Sequence, residues 1–443
     1  MRAKILILFC GAWGFLLCFC CAATAGTVDL PKGNDLGGKS EPSFSVSGAL
    51  RLRSEFQDEF TIKQYATGGS EDYLLTRLQV NFDAAFWKLK TFTQFQDARI
   101  FWSSFEDSDF KVSNPYHDVM DIRQAYVNFE PSNEIEVKLG RQQIGFGDRR
   151  VFGPGDWGNT GRYVWDAARV RFHNALLDSH FLAGRFILRN PDRWPNESAP
   201  GPTAYANYTM VRNLPFELDL FYVLKKDDHG DTQGETGKGN LTSHSTGFRL
   251  DGKRGSWDYA VTVVHQFGRW GNDRIDAYGL TSRIGYTFDM PWQPHLMAQY
   301  IHGSGDKDPR DGKKETFDGV FGGSDTVLYG WMNLFFWSNL REYRLDLELT
   351  PRKVLSVRGE YHYFTLDETK DAWYYPGSAQ RRDKTGRSGR ELGHEWDLTL
   401  RYKPVAWLDL LGGYCIFLPG EFIERTGPDP PAQWFFLQTE MTF

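Results

Sequence analysis

Between residues 122 and 172 the chain writes one rule three times: apolar and polar side chains take turns. In the middle segment Ile135, Val137 and Leu139 share one face of an extended strand, and Glu136, Lys138 and Gly140 share the other. A period of two belongs to strands, because successive Cβ atoms point to opposite faces; a helix cannot satisfy it. The code recurs along the chain. Val46, Leu50 and Leu52 oppose Arg51, Arg53 and Glu55; Leu78, Val80 and Phe82 oppose Arg77, Gln79 and Asn81. Leu345, Leu347 and Leu349 oppose Arg344, Asp346 and Glu348. A soluble sheet would cover its apolar face with a second layer. Here that face is expected to meet lipid, while the polar face lines a water-filled tube.

The connections sort by parity. Long ones are Gln57–Asp72, Phe101–Asp118, Gly145–Gly161, Arg189–Pro202, Lys225–Asn240, Gly303–Phe336, Asp367–Arg390 and Leu418–Pro431, with Gly268–Asp273 of medium length. Short ones lie between them, near Trp87 and at Glu130–Asn133, His173–Leu176, Arg212–Pro215, Asp251–Gly255, Asp289–Pro294, Thr350–Lys353 and Lys403–Ala406. Short turns on one side and long loops on the other mark an outer-membrane barrel. The fold expected is therefore all-β, a transmembrane antiparallel up-and-down β-barrel of about 18 strands in the bacterial outer membrane. Closure is compulsory, since hydrocarbon offers no water to pair the free N–H and C=O groups of a sheet edge. At that strand number the lumen should remain open and aqueous.

Composition agrees. No stretch after the first segment approaches the roughly 18 apolar residues of a spanning helix, yet aromatics reach 16%, as interfacial girdles require. The first segment differs: Arg2 and Lys4 precede an apolar run, Ile5 to Phe19, and Ala23-Thr24-Ala25 supplies a small-residue cleavage site. Residues 1–25 are expected to be a secretory signal, 26–43 a periplasmic lead-in and 44–443 a single barrel domain. Four of the five cysteines then leave with the signal and only Cys415 remains, so no disulfide is expected. A net charge of −6 with no basic tail excludes nucleic acid as a partner. The last strand alternates Phe435, Leu437, Met441 and Phe443 on one face, and Phe443 is where the outer-membrane assembly machinery would read the chain.

Several segments, in order along one alternating chain, carry a family resemblance. They are Gln124-Ala125-Tyr126, Gly140-Arg141-Gln142, Gly147-Asp148, Asp156-Trp157-Gly158-Asn159 and Asp166-Ala167-Ala168-Arg169, then Gly303-Ser304-Gly305-Asp306, Thr316-Phe317-Asp318, Asp371-Ala372-Trp373-Tyr374-Tyr375 and Gly393-His394-Glu395-Trp396-Asp397-Leu398. The chain resembles the alginate-export family of outer-membrane barrels. That resemblance implies a monomeric channel with an electropositive constriction that passes a polyuronate outward. One departure is the turn Lys403–Ala406, too short to hold a plugging periplasmic turn of a dedicated exporter.

Lumenal arginines are the candidate substrate pathway: Arg51, Arg53, Arg77, Arg141, Arg169, Arg171, Arg344, Arg358 and Arg401. Rings of Arg favour anions, and a guanidinium fork suits carboxylates. Acids share the lumen, among them Asp83, Glu360, Glu395 and Asp397, so part of the Arg set is expected to pair across strands and stiffen the wall. In the loop Gly145–Gly161, Asp156, Trp157 and Asn159 either narrow the pore from within or form an external turn with Trp157 at the lipid interface.

Asp306, Asp308 and Asp311 lack the spacing of an EF-hand, and no metal site or cofactor is expected. No G-x-S-x-G elbow occurs, and His394-Glu395 lacks the second His of a metalloprotease helix, so a barrel-borne hydrolase is disfavoured. The expected function is passive passage of an anionic polysaccharide, alginate-like, or its oligomers; the alternative is a general porin for small anions or sugars. Expected partners are the lipid bilayer with lipopolysaccharide, the anionic saccharide, and periplasmic polysaccharide-export proteins.

Overall fold

The computed structural model describes residues 42–62, 64–110, 113–322, 328–375 and 378–443. The expected signal 1–25 and nearly all of the lead-in 26–43 lie outside them. Eighteen strands form the wall: β1 Ser43–Phe60, β2 Tyr65–Phe86, β3 Leu89–Phe101, β4 Asp118–Phe129, β5 Ile135–Gln143, β6 Val164–His173, β7 Leu177–Phe186, β8 Thr203–Val211, β9 Glu217–Gln233, β10 Lys238–Arg254, β11 Trp257–Trp270, β12 Asp273–Thr287, β13 His295–Gly303, β14 Leu340–Arg352, β15 Leu355–Leu366, β16 Glu391–Val405, β17 Leu408–Pro419 and β18 Ala432–Thr442. Each pairs antiparallel with its chain neighbours, and β18 returns to β1, with Leu50 opposite Met441 and Arg51 opposite Glu440. The sheet thus meets itself and leaves no open edge strand in the wall. A two-residue segment, Lys313–Lys314, adds in parallel to β12 from a loop and is not part of the wall.

Alternation sets the two faces. Leu139, Leu345, Leu347, Leu398 and Leu400 are exposed on the outside, whereas Arg51, Arg53 and Glu55 are buried inside. Exposed aromatics mark both rims: Trp87, Trp257, Trp292 and Trp407 at the short-turn end, Trp102 and Trp194 at the other. That belt suits a bilayer with interfacial girdles.

Two connections expected to be long, and one expected to be of medium length, close as short hairpins instead. Strands β1 and β2 run on through Gln57↔Glu71 and Asp58↔Ser70 to Phe60↔Tyr65. Likewise β9 and β10 continue to Gln233↔Lys238, and β11–β12 closes over two residues, 271–272. Beyond the bilayer the outward face of a hairpin meets water, so the apolar stripe stops while the hydrogen-bonded ladder continues; the inner side of the β1–β2 extension still buries Phe60 and Tyr65.

The expected open lumen is also corrected. At the long-loop end much of it is filled by loop side chains: Phe152, Phe317, Tyr329, Phe335, Trp337, Trp373 and Tyr375 form one apolar cluster with wall residues Phe364 and Phe417. Phe422 and Ile423 of a six-residue helix α1, Glu421–Thr426, join it from the loop before β18. Aromatic abundance therefore serves an internal core as well as the girdles, because loops long enough to fold back can bury their rings.

The β1–β18 seam is tight at one point. Gly48 and Phe443 exchange backbone hydrogen bonds of 2.8 and 3.0 Å, and a Cβ on Gly48 would lie 2.3 Å from the Phe443 ring. Gly48→Val should force that ring aside at a cost of about 1–3 kcal/mol. The expected result is a smaller folded fraction on unheated gel electrophoresis; an unchanged fraction would show that the seam tolerates the methyls.

Candidate functional site

The connection between β5 and β6, residues 144–163, enters the barrel. Gly147, Gly155 and Gly161 take φ of 54, 59 and 70°, a left-handed backbone that favours glycine, and so fold the segment compactly. Its far end is then seized by the wall. Arg51 donates from Nη1 to the carbonyls of Asp156 and Trp157 at 3.2 Å, and from Nη2 to Gly158 O at 3.1 Å and Asn159 Oδ1 at 3.3 Å. Arg53 donates to Trp157 O at 2.7 Å, and Arg77 to Asp156 O at 3.0 Å. Asn159, fully buried, donates its amide to the carbonyls of Thr76, Arg99 and Tyr116 at 3.1, 3.1 and 2.8 Å.

Trp157 sits inside the barrel, not at the lipid interface. Its ring meets Trp331, Phe436 and Trp434 at 5.2, 5.2 and 5.9 Å, with the Arg53 guanidinium 4.2 Å from its centroid. Trp331 belongs to a second infolded connection, between β13 and β14, described over 304–322 and 328–339. That loop is anchored by a Lys225–Asp318 ion pair of 2.6 Å and by Phe335 stacked on Phe364 at 3.9 Å. The two loops therefore meet across the lumen.

Between the first loop and the inner faces of β1, β2, β3 and β18 remains a cavity of about 450 Å³. Arg51, Arg77 and Arg149 line it with Asp148, Asp156 and Glu440, together with the neutral amides of Gln79, Gln94, Gln143 and Gln438. Arg51 bonds only neutral acceptors among the partners given above, so its charge is not cancelled by them. Arg77 is 3.8 Å from Glu440, and Arg149 is 3.0 Å from Asp156.

The other arginines named from the sequence are tied to acids in the wall. Arg53 binds Glu55 at 2.6 Å, Arg169 binds Glu136 at 3.3 Å, and Arg171 binds Asp178 at 2.7 Å. Arg344 is shared by Asp346 and Glu360, and Arg358 by Glu348 and Glu360. Arg401 pairs with Asp409 near the short turn before β17. Arg141 lies away from the cavity, held by Asp166 at 3.0 Å and by the carbonyl of Asn196. Asp83 is exposed toward the short-turn end. Glu360, Glu395 and Asp397 are buried together on β15 and β16.

Of the three loop acids, Asp306 is buried while Asp308 and Asp311 are exposed. Asp306 instead meets Glu235, in the β9–β10 tip, whose carboxyl is pushed up to about 8 by burial and by the bond to Asp306. A carboxyl raised above its unfolded value favours the folded contact at low pH and weakens it as pH climbs through the folded value. Amide exchange at 234–237 should therefore be slow near pH 5 and speed up between pH 7 and 9, beyond the intrinsic base-catalysed rise; an increase no larger than that rise would rule out the shared proton.

Residue patterning missed Arg149, Asp148 and the glutamine set as a group. Gln79 and Gln94 fall on the polar face and were legible as lumenal, but nothing in the chain marks them as neighbours of a loop some sixty residues on.

No curated protein matches the chain. Among solved structures, OccAB2 of Acinetobacter baumannii superposes with a TM-score of 0.60 at 11% identity, over 90% of this chain and 98% of that one. OccK8 (OprE) of Pseudomonas aeruginosa gives 0.59 at 13% identity, with 90% and 98% covered. OccK2 (OpdF) of the same organism, solved in complex with glucuronate, gives 0.58 at 12%, also 90% and 98%. At such identities the likeness speaks for the fold. The sequence profile described as alginate export matches residues 43–433. Since that match opens with the first wall strand and ends inside the last, the chain belongs to the alginate export family and is a channel of the bacterial outer membrane, not an enzyme.

Proposed function

We propose that the channel passes anionic saccharides by passive diffusion, with an alginate-like polyuronate or its oligomers as the substrate. The observation that carries this is the polar cavity beside the infolded loop, lined by Arg51, whose hydrogen bonds go to neutral carbonyl and amide oxygens, and by Arg77, 3.8 Å from Glu440. A guanidinium pair attracts carboxylates, and glutamine amides can trade hydrogen bonds with sugar hydroxyls. Several moderate contacts suit conduction better than one tight site, because a chain must also leave. The family points to polyuronate, and the glucuronate complex of OccK2 shows a fold-mate with a carboxylated sugar. The infolding of several long loops favours a second substrate range, small anions or single sugar acids, on the same arginines.

The test is planar-bilayer recording of the full protein. In a salt gradient the reversal potential should report anion preference, and oligouronate added to one side should block current at lower concentration than glucuronate. Cation preference, or no block by either, would overturn the pathway. Block by glucuronate alone would select the small-anion range.

A further inference from the structure

Away from the cavity, β14, β15 and β16 bring buried acids around one histidine. Glu342, Glu360, Glu395 and Asp397 converge on His362, and each is at most 4% exposed. Arg344 is already divided between Asp346 and Glu360. Arg358 likewise divides between Glu348 and Glu360, and two shared guanidiniums with one imidazole cannot balance this many carboxylates; buried uncompensated charge is costly.

The histidine is oriented in a particular way. Its Nδ1 lies 2.7 Å from Glu342 Oε1, which leaves Nε2 as the nitrogen turned toward the remaining carboxylates. Nε2 points at the other carboxylates, 3.2 Å from Asp397 Oδ2, but without a hydrogen-bonding alignment. Glu342 Oε2, Glu395 Oε2 and Asp397 Oδ1 are likewise buried without hydrogen-bond partners. A ring nitrogen facing carboxylate oxygens calls for a cation between them, either a proton or a metal ion. A carboxylate accepting from the rear nitrogen of a ligating imidazole is the usual support of a metal-bound histidine.

We propose that Glu360, His362 through Nε2, and Asp397 hold a divalent transition-metal ion, with zinc as the probe. One donor atom from each lies within 4.8 Å of the others. Zinc bonds of about 2.0–2.2 Å would draw them inward by less than an ångström each, and Glu395 Oε2 is available as a fourth ligand. The mixed oxygen–imidazole set suits zinc or manganese better than calcium, which takes oxygen alone. The site would also pin a loop. Trp331 N–H donates to Asp397 Oδ2 at 3.2 Å and Met332 N–H to Glu395 Oε1 at 2.8 Å, so the ion sits where the 304–339 connection is fastened to the wall.

Tag-free full-length protein, folded in detergent, incubated with Zn²⁺ and exchanged into metal-free buffer, should retain about one zinc per chain by mass spectrometry. His362→Gln with Asp397→Asn should lose at least nine-tenths of it, and Glu360→Gln should lower affinity about tenfold or more. Should the double variant fail to fold, zinc X-ray absorption of the wild type decides: a nitrogen–oxygen shell with imidazole scattering is expected. Retention below a tenth of an equivalent, full retention in the folded double variant, or a spectrum without imidazole would overturn the site and leave shared protons to balance the charge.

Discussion

Replacing Arg51 and Arg77 together by glutamine should strip most of the anion preference and weaken uronate block about tenfold. Removing two charges some 5 Å from a passing carboxylate in a water-filled bore forfeits about 1.4 kcal/mol, the equivalent of that factor. Glutamine keeps a donor for the loop carbonyls, so the loop should stay in place. Reversal potential and block concentration are the readouts, and salt matters, because screening at high ionic strength would mask the change. The companion variant Arg169→Gln removes a guanidinium paired with Glu136 at 3.3 Å and should move selectivity far less. If both variants behave alike, the distinction between free and paired arginines drawn from the geometry is wrong.

Trp157→Ala should open the channel. The ring joins the two infolded loops through Trp331 and packs on Trp434 and Phe436 of the wall. Truncating a large aromatic in such a setting costs about 3–5 kcal/mol, comparable with the whole stability of a small element. The loss falls on the loop, because the wall ladder does not depend on it. Single-channel conductance should rise about twofold or more with added noise from loop motion, as expected when few buried contacts remain to hold a segment. Protease cleavage within 144–163 should appear in the variant and not in the parent. Unchanged conductance would mean that this loop does not limit flow.

Most of the wall was legible without coordinates. Ile135, Val137 and Leu139 against Glu136 and Lys138 state a strand, its two faces and its surroundings, because the pleat makes side-chain direction a local property of the backbone. Legibility failed where chemistry stopped alternating. Asp58–Ser70 remains a ladder pair, yet neither residue belongs to an apolar stripe, so the segment reads as loop. From the chain alone Trp157 stays open between the pore and the lipid interface: an aromatic residue in a loop says nothing about which way the loop turns.

By itself the chain determined a closed tube with an apolar outside, a polar inside and long connections at one end. Only the tertiary structure decided which of those connections enter the lumen, which arginines keep an uncancelled charge and which acids crowd His362. Arg51 and the carbonyl of Asp156 are 105 residues apart, and Arg53 and Gln438 are 385 apart across the closing seam. Pairings over such distances depend on how the sheet returns to its own first strand, and the two-residue period is the same whatever that return brings face to face.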